Sequence, residues 1–402
     1  MSSINKQLQP LLIADFFAGL MFFYPVTFPL MNHLGFSVAQ MSFYALTWNI
    51  VMLAIEVPSG ILADRWSRKK VIMLGQLIIA LGAAILGFAH SFAGFILAAV
   101  FLSVYFALRS GIREAIIYDM LLENDARPDY EKQLGRLRAY NTAGNVVSSL
   151  LGTFIAAEIG FRAPYFLSVG SCLIAFIFLA RLKEPQLHRK TETAKLKRHM
   201  LDLLQALSRH REMKLLVVTA VLIGIEYNYM MEVDPLWPIA LGLATMWYGP
   251  LNAFLLSSQG LAAPLAKRMA VSAKWMRAVA AAFLLAAAGL LVRHIFVIIL
   301  SQFILLAGAI CLMVVLSGKI QDELPSSQRS GVESVISTLA TLAFIVSLLV
   351  FTAISRHHSV FVGAWLVVVT TLLGTCGVMM ISRNHKRLSE ATAGMIPDQP
   401  NL

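Results

Sequence analysis

Charge is what this sequence has least of. Of its 402 residues, 14% are Asp, Glu, Lys or Arg, where soluble proteins carry about a quarter. That scarcity excludes an ordinary soluble domain as the main body of the chain. Cysteine is also rare. Cys172, Cys311 and Cys376 lie in apolar runs at unrelated spacings, so neither a disulfide framework nor a metal motif is expected. The nine histidines all fall in loops, tails or helix ends, which argues against a histidine proton relay through the core. Phosphate-binding glycine loops, metal-spaced histidine or cysteine pairs and serine-triad contexts are missing. No enzyme, nucleotide-driven pump or cofactor site is therefore expected.

Apolar length is what the chain has instead. Hydrophobic residues make up 58% of it. Runs of roughly 20 apolar residues, the length of a membrane helix, recur about twelve times. The expected helices cover roughly 10–32, 38–63, 69–89, 92–119, 139–158, 163–182, 213–238, 245–267, 276–292, 295–318, 331–354 and 359–381. The first run, from Pro10, is full length and lacks a small-residue cleavage pattern, so no cleavable leader is expected. The fold class is an all-α integral membrane protein with twelve transmembrane helices in two six-helix bundles. The expected domains are 1–182, a linker at 183–212, 213–382 and a polar tail at 383–402. In the linker, Leu196, Met200, Leu203, Leu204 and Leu207 recur at helical spacing. Two readings stay open there: an amphipathic helix on the membrane face and a solvated linker with little helix.

The net charge of +11 follows orientation rather than nucleic acid binding. With the N-terminus inside, only Arg162, Arg293 and Arg356 of the 33 Lys and Arg fall on outer turns. This positive-inside bias places both termini in the cytoplasm, with anionic lipid as the partner of the cations. A bacterial cytoplasmic (inner) membrane is the expected location.

The densest chemistry lies in Glu56-Val57-Pro58-Ser59-Gly60-Ile61-Leu62-Ala63-Asp64-Arg65-Trp66-Ser67-Arg68-Lys69-Lys70. Gly260-Leu261-Ala262-Ala263-Pro264-Leu265-Ala266-Lys267-Arg268 echoes part of it 200 residues later, half the chain away, with Pro264 standing where the first copy has Asp64. Six helices per half and this echo together suggest a duplicated architecture.

These residues resemble the major facilitator superfamily. Gly60, Asp64, Arg65, Ser67, Arg68 and Lys69 are similar to that family's loop between helices 2 and 3, with serine at the second glycine position. Gln321-Asp322-Glu323-Leu324-Pro325-Ser326-Ser327-Gln328-Arg329 resembles the loop before helix 11, and Gly160-Phe161-Arg162-Ala163-Pro164-Tyr165-Phe166 the turn into helix 6. Two positions depart from the pattern. Many proton-coupled members carry an arginine four residues before a glycine in helix 4, whereas Arg109 precedes Gly111 by two. Drug antiporters often carry a glycine–proline pair in helix 5, whereas this chain has Gly144, Ser148 and Gly152, a packing spacing.

The resemblance implies a secondary transporter working by alternating access. The expected partners are a small-molecule substrate, a proton or other coupling ion and the lipid bilayer, with no nucleic acid, and the chain acts as a monomer. The substrate is a small organic molecule, with drug-like efflux as one direction. The alternatives are a metabolite uptake permease and a non-transporting membrane sensor on the same fold. The helix 2–3 loop is expected to form a latch. Gly60 admits a close neighbouring helix, and Asp64 meets the N-terminus of helix 11. Arg65 or Arg68 reaches a carboxylate such as Asp119, Glu333 acts from the first turn of helix 11, and Glu56 supports the latch from within its helix. The plain alternative is positive-inside cations at a helix stop.

Carboxylates at membrane depth are the other candidates. Glu226 lies mid-helix, with Tyr227, Asn228 and Tyr229 as possible cavity walls; it either handles a proton or cation or makes a structural bond to a facing helix. Asp15, in helix 1, lines the cavity or is a plain interfacial carboxylate. Arg109 and Arg113, beside Glu114, contact an anionic substrate, pair with Asp15 or Glu226, or snorkel at the inner rim. Glu232 and Asp234 form an outer gate or an outer cap.

Overall fold

The computed structural model describes residues 3–184, 210–324 and 326–393, and leaves out the side chains of 3, 57, 61, 63–65, 261–263, 271, 326–331 and 384–393. The expected linker helix and the end of the tail lie outside the described residues. Among the described residues every regular element is helical.

The α-helices are α1 (Ser3–Gly19), α2 (Thr27–His33), α3 (Val38–Arg65), α4 (Arg68–Phe88), α5 (Phe92–Arg109), α6 (Ile112–Glu123), α7 (Tyr130–Glu158) and α8 (Ala163–Ala180). They continue as α9 (Arg211–Glu232), α10 (Leu236–Ala240), α11 (Tyr248–Val271), α12 (Ala273–Gly289), α13 (Ile295–Asp322), α14 (Ser326–Ser355) and α15 (Val360–Ala393). Nine segments among the described residues are long and apolar enough to cross a membrane. Of the twelve expected spans, α7, α11 and α12 do not meet that measure; α12 has only 17 residues.

Three expected helices are interrupted, each for a local reason. The first breaks after Gly19, and Pro25 opens a short 3-10 turn, Tyr24–Val26, before α2. The fourth breaks at Ser110–Gly111, where Gly111 has φ +70, a left-handed value that glycine adopts without strain. The seventh breaks at Val233–Pro235, because Pro235 brings no N–H to the hydrogen-bond ladder. Apolar periodicity runs through all three breaks, which is why the sequence reads as continuous helix there. Elsewhere serine fixes the starts. Ser37 forms a capping box with Gln40 at α3, and Ser67 accepts from Lys70 N at 3.1 Å at α4.

The chain forms two compact units, Met1–Ala194 with Gly242–Ala253, and Lys195–Leu241 with Phe254–Leu402. In the first, α1 packs on α7 and α8, and α4 on α5 and α8. In the second, α9 packs on α14 and α15, and α12 on α13 and α15. These are equivalent pairings under the half-chain repeat, so the duplication extends from sequence to packing.

Small residues set the closest approach in the first unit. A Cβ at Gly144 would stand 2.3 Å from Phe16 O, and one at Gly152 2.4 Å from Phe22 O. Between them, the Ser148 hydroxyl donates to Gly19 O at 3.2 Å. The Gly144–Ser148–Gly152 face of α7 therefore receives the broken backbone of α1. In lipid, where exclusion of water gives helices no drive to associate, such close packing and interhelical hydrogen bonds hold the bundle.

Candidate functional site

The first unit holds a buried charge cluster. Asp15, in the last turns of α1, is 3% exposed. Arg109 Nη2 donates to its Oδ1 at 2.8 Å, and Arg113 Nη1 reaches both oxygens at 2.7 Å. The break at Gly111 makes this possible. Arg109 ends α5 and Arg113 opens α6, so both guanidinium groups turn toward one carboxylate. Asn141 Nδ2 on α7 donates to Asp15 O at 3.0 Å, fixing the backbone beneath. Arg113 also stands 3.7 Å from Glu114. A small pocket beside the cluster is lined by Asp15, Gln76, Tyr105, Arg109 and Arg113 on its polar side. Gln76 Nε2 donates to Tyr105 Oη at 3.4 Å, and the Arg109 guanidinium lies 5.8 Å from the Tyr105 ring centre. Pairing with Asp15, one of the alternatives the sequence leaves open for these arginines, is present.

The second unit holds a buried carboxylate of a different kind. Glu226, on α9, is fully buried. Thr370 on α15 donates a short hydrogen bond to its Oε1, and the Thr371 hydroxyl also lies beside the carboxylate. Among the described residues Glu226 has no ion pair, and its Oε2 has no hydrogen-bond partner. Tyr227 and Asn228 are partly buried. Tyr229 is not a cavity wall: it is fully buried, 2.9 Å from Ser347 Oγ and packed on Phe344 and Phe351. In the first unit Phe17 stacks on Phe178 and Phe23 on Tyr165.

At the far end of α9, Glu232 and Asp234 are partly buried neighbours. Gln302 on α13 donates to Asp234 O at 2.7 Å.

The α3–α4 junction is anchored inside the first unit. Arg68 pairs with Asp119 on α6 and also donates to Ala115 O at 3.3 Å. Ser67 Oγ donates to both oxygens of Glu184, at 2.5 and 2.7 Å. The side chains of Asp64 and Arg65 lie outside the described residues. Three latch expectations are corrected. Glu56 is exposed rather than buried. A Cβ at Gly60 would meet nothing within 4 Å, so no helix packs closely there among the described residues. Glu333 is the eighth residue of α14, beyond the turn where the dipole acts. It accepts instead from Ser317 and Gln321 of α13, at 3.0 and 3.1 Å.

Sequence reasoning missed Gln76, Glu184, Gln302, Thr370 and Thr371. Thr370, Thr371, Gly374, Thr375 and Gly377 form a polar, small-residue face within an otherwise apolar run. That spacing was the available signal for the partner of Glu226. Among the described residues no three His, Cys, Asp or Glu side chains gather as metal ligands.

The Major Facilitator Superfamily profile matches residues 11–348. Multidrug resistance protein 1 of Bacillus subtilis (strain 168) is 26% identical over 180 residues. The matched region covers 44% of this chain and 45% of that relative, so less than half of its length is spanned. The solved nucleoside transporter NupG superposes with a TM-score of 0.74 at 16% identity, over 93% of this chain and 98% of that one. A mutant form of peptide transporter POT gives 0.67 at 15% identity, covering 95% of each chain. A D-xylose-proton symporter gives 0.64 at 14% identity, over 93% and 96%. At these identities the structures establish the fold alone. A profile match over most of the chain, on a duplicated bundle of membrane helices, makes the protein a multi-pass, non-enzymatic member of the Major Facilitator Superfamily of secondary transporters.

Proposed function

We propose that the chain is a proton-coupled transporter of a small organic molecule working by alternating access. It crosses a bacterial cytoplasmic membrane twelve times with both termini inside. The positive-inside count supports that orientation. The 29 residues of α7 span about 43 Å as helix, enough for a hydrocarbon core of about 30 Å. Export of drug-like compounds is the favoured direction, supported by the multidrug resistance relative.

The observation that carries the reading is Glu226. A carboxylate fully buried in a membrane helix, with hydroxyl neighbours and no described cation, is costly when ionised. A proton on Oε2 removes that cost and gives the orphaned oxygen a hydrogen to donate toward Thr371, whose hydroxyl is also unpartnered. Glu226 is therefore the proton-binding group, and its charge state biases the second unit. Asp15 is its counterpart in the first unit, the carboxylate that Arg109 and Arg113 clasp beside the cavity. Arg68 and Asp119 fix the α3–α4 junction, on which Asp64 and Arg65 act as the gate. The test is ethidium efflux driven by a pH gradient in proteoliposomes. Glu226→Gln keeps the shape and hydrogen bonding of the neutral acid and should abolish coupling without unfolding the protein. Undiminished coupling in that variant removes Glu226 from the role.

A further inference from the structure

The end of α9 carries a second, separate concentration of negative charge. α9 stops at Glu232, and Val233 N bonds back to Tyr229 O at 3.2 Å. Pro235 prevents the helix from continuing, and α10 starts at Leu236. The C-terminal end of a helix carries the negative end of its dipole and favours cations. Here two carboxylates, Glu232 and Asp234, stand two residues apart at that end. No Lys, Arg or His among the described residues pairs with either carboxylate.

A second observation is independent of the acids. Gln302, on the facing α13, is fully buried. Its Nε2 must face Asp234 O, because at 2.7 Å only the N–H side of the amide can meet a carbonyl. That contact fixes the amide's orientation and leaves Oε1 as a buried acceptor, close to the Asp234 backbone, with no partner among the described residues. A buried acceptor without a donor costs free energy until something supplies positive charge or a hydrogen. Carboxylate and amide oxygens are the donor set of hard cations and of ammonium groups alike, and half-helix C-terminal ends are used this way in membrane transporters.

We propose that the α9–α10 break is a binding site for a monovalent cation, with Glu232 and Asp234 as charged ligands and Gln302 Oε1 as the neutral one. The occupant is either the protonated amine of the cargo or an alkali-metal coupling ion. The inference rests on the transporter reading and adds the chemistry of what the second unit selects.

Equilibrium binding to the purified full chain in detergent tests it, by calorimetry at constant ionic strength held with choline chloride, whose quaternary nitrogen has no hydrogen to donate. The probes are phenethylamine hydrochloride and sodium chloride. Saturable binding of phenethylamine assigns the site to a cargo amine, and saturable binding of sodium assigns it to a coupling ion. In either case Glu232→Gln and Asp234→Asn should each weaken binding by at least about tenfold, while Asp234→Glu retains most of it. Each variant is checked for monodispersity, so misfolding is separated from loss of charge. Failure of both probes to bind the folded wild type, or undiminished binding by the folded double variant, overturns the site. No gradient is applied, so this result stands apart from the Glu226→Gln flux assay.

Discussion

Arg113 Nη1 lies 2.7 Å from both carboxylate oxygens of Asp15, while Arg109 Nη2 holds one of them at 2.8 Å. One acid thus serves two guanidinium groups that a left-handed glycine has brought together from two helices. Removing the acid takes from Arg109 its described ion pair and leaves Arg113 with Glu114 alone, 3.7 Å away. Asp15→Asn should cost about 3–5 kcal/mol in stability, the penalty for uncompensated buried charge. Adding Arg109→Gln to Asp15→Asn should recover part of that loss. Thermal unfolding in detergent measures both, and additive losses in the double variant would contradict the pairing.

Two glycines at motif positions should behave oppositely. Gly144→Ala places a Cβ 2.3 Å from Phe16 O, a backbone atom that cannot swing away. It should destabilise the first unit by about 1–3 kcal/mol, the range for overpacking. Gly60→Ala meets nothing within 4 Å and removes a poor helix former. Its stability should be unchanged or raised by up to about 1 kcal/mol. Matching losses at the two sites would contradict the described packing.

The clasp on Glu226 predicts a distinct phenotype for its neighbour. Thr370→Val keeps the shape of the side chain and deletes the hydroxyl that donates to Oε1. Leaving that acceptor unsatisfied should cost about 1–3 kcal/mol. It should also weaken gradient-driven ethidium efflux, because the carboxyl is no longer held in place. Thr370→Ser restores the hydroxyl and should keep most of the efflux. Equal losses in the Val and Ser variants would make the contact a matter of shape alone.

Cation binding at the α9–α10 break should strengthen as pH rises. Protons and the cation compete for the Glu232 and Asp234 carboxylate oxygens, so phenethylamine or sodium affinity should increase as the pH is raised. Asp234→Asn should flatten the rise. A wild-type affinity that falls as the pH is raised would contradict the assignment.

Much of the fold is legible in the sequence because membrane burial leaves a simple pattern. Apolar runs mark helices, cations mark one side, and the Gly60–Gly260 echo marks the duplication that the α1–α7 and α9–α14 packings repeat. The breaks at Gly19, Gly111 and Pro235 are not legible in that way, because apolar side chains continue through them while the backbone turns. The site divides similarly. Asp15 and Glu226 announce themselves as charges in apolar surroundings, and Asp119 is named as the partner that Arg68 meets. Their neutral companions do not. Thr370, Gln76 and Gln302 become informative only when folding sets them against a distant residue. Glu56 and Glu333 misled because spacing along one helix does not specify which neighbour covers it.

In the proposed mechanism a buried acid on α9 carries the coupling proton. Ethidium efflux driven by an imposed pH gradient in proteoliposomes, with wild-type or Glu226→Gln protein, measures that role. The prediction is accumulation against the ethidium gradient in wild type, and only downhill, gradient-insensitive movement in the variant. Equal gradient-driven efflux by the two proteins would contradict it.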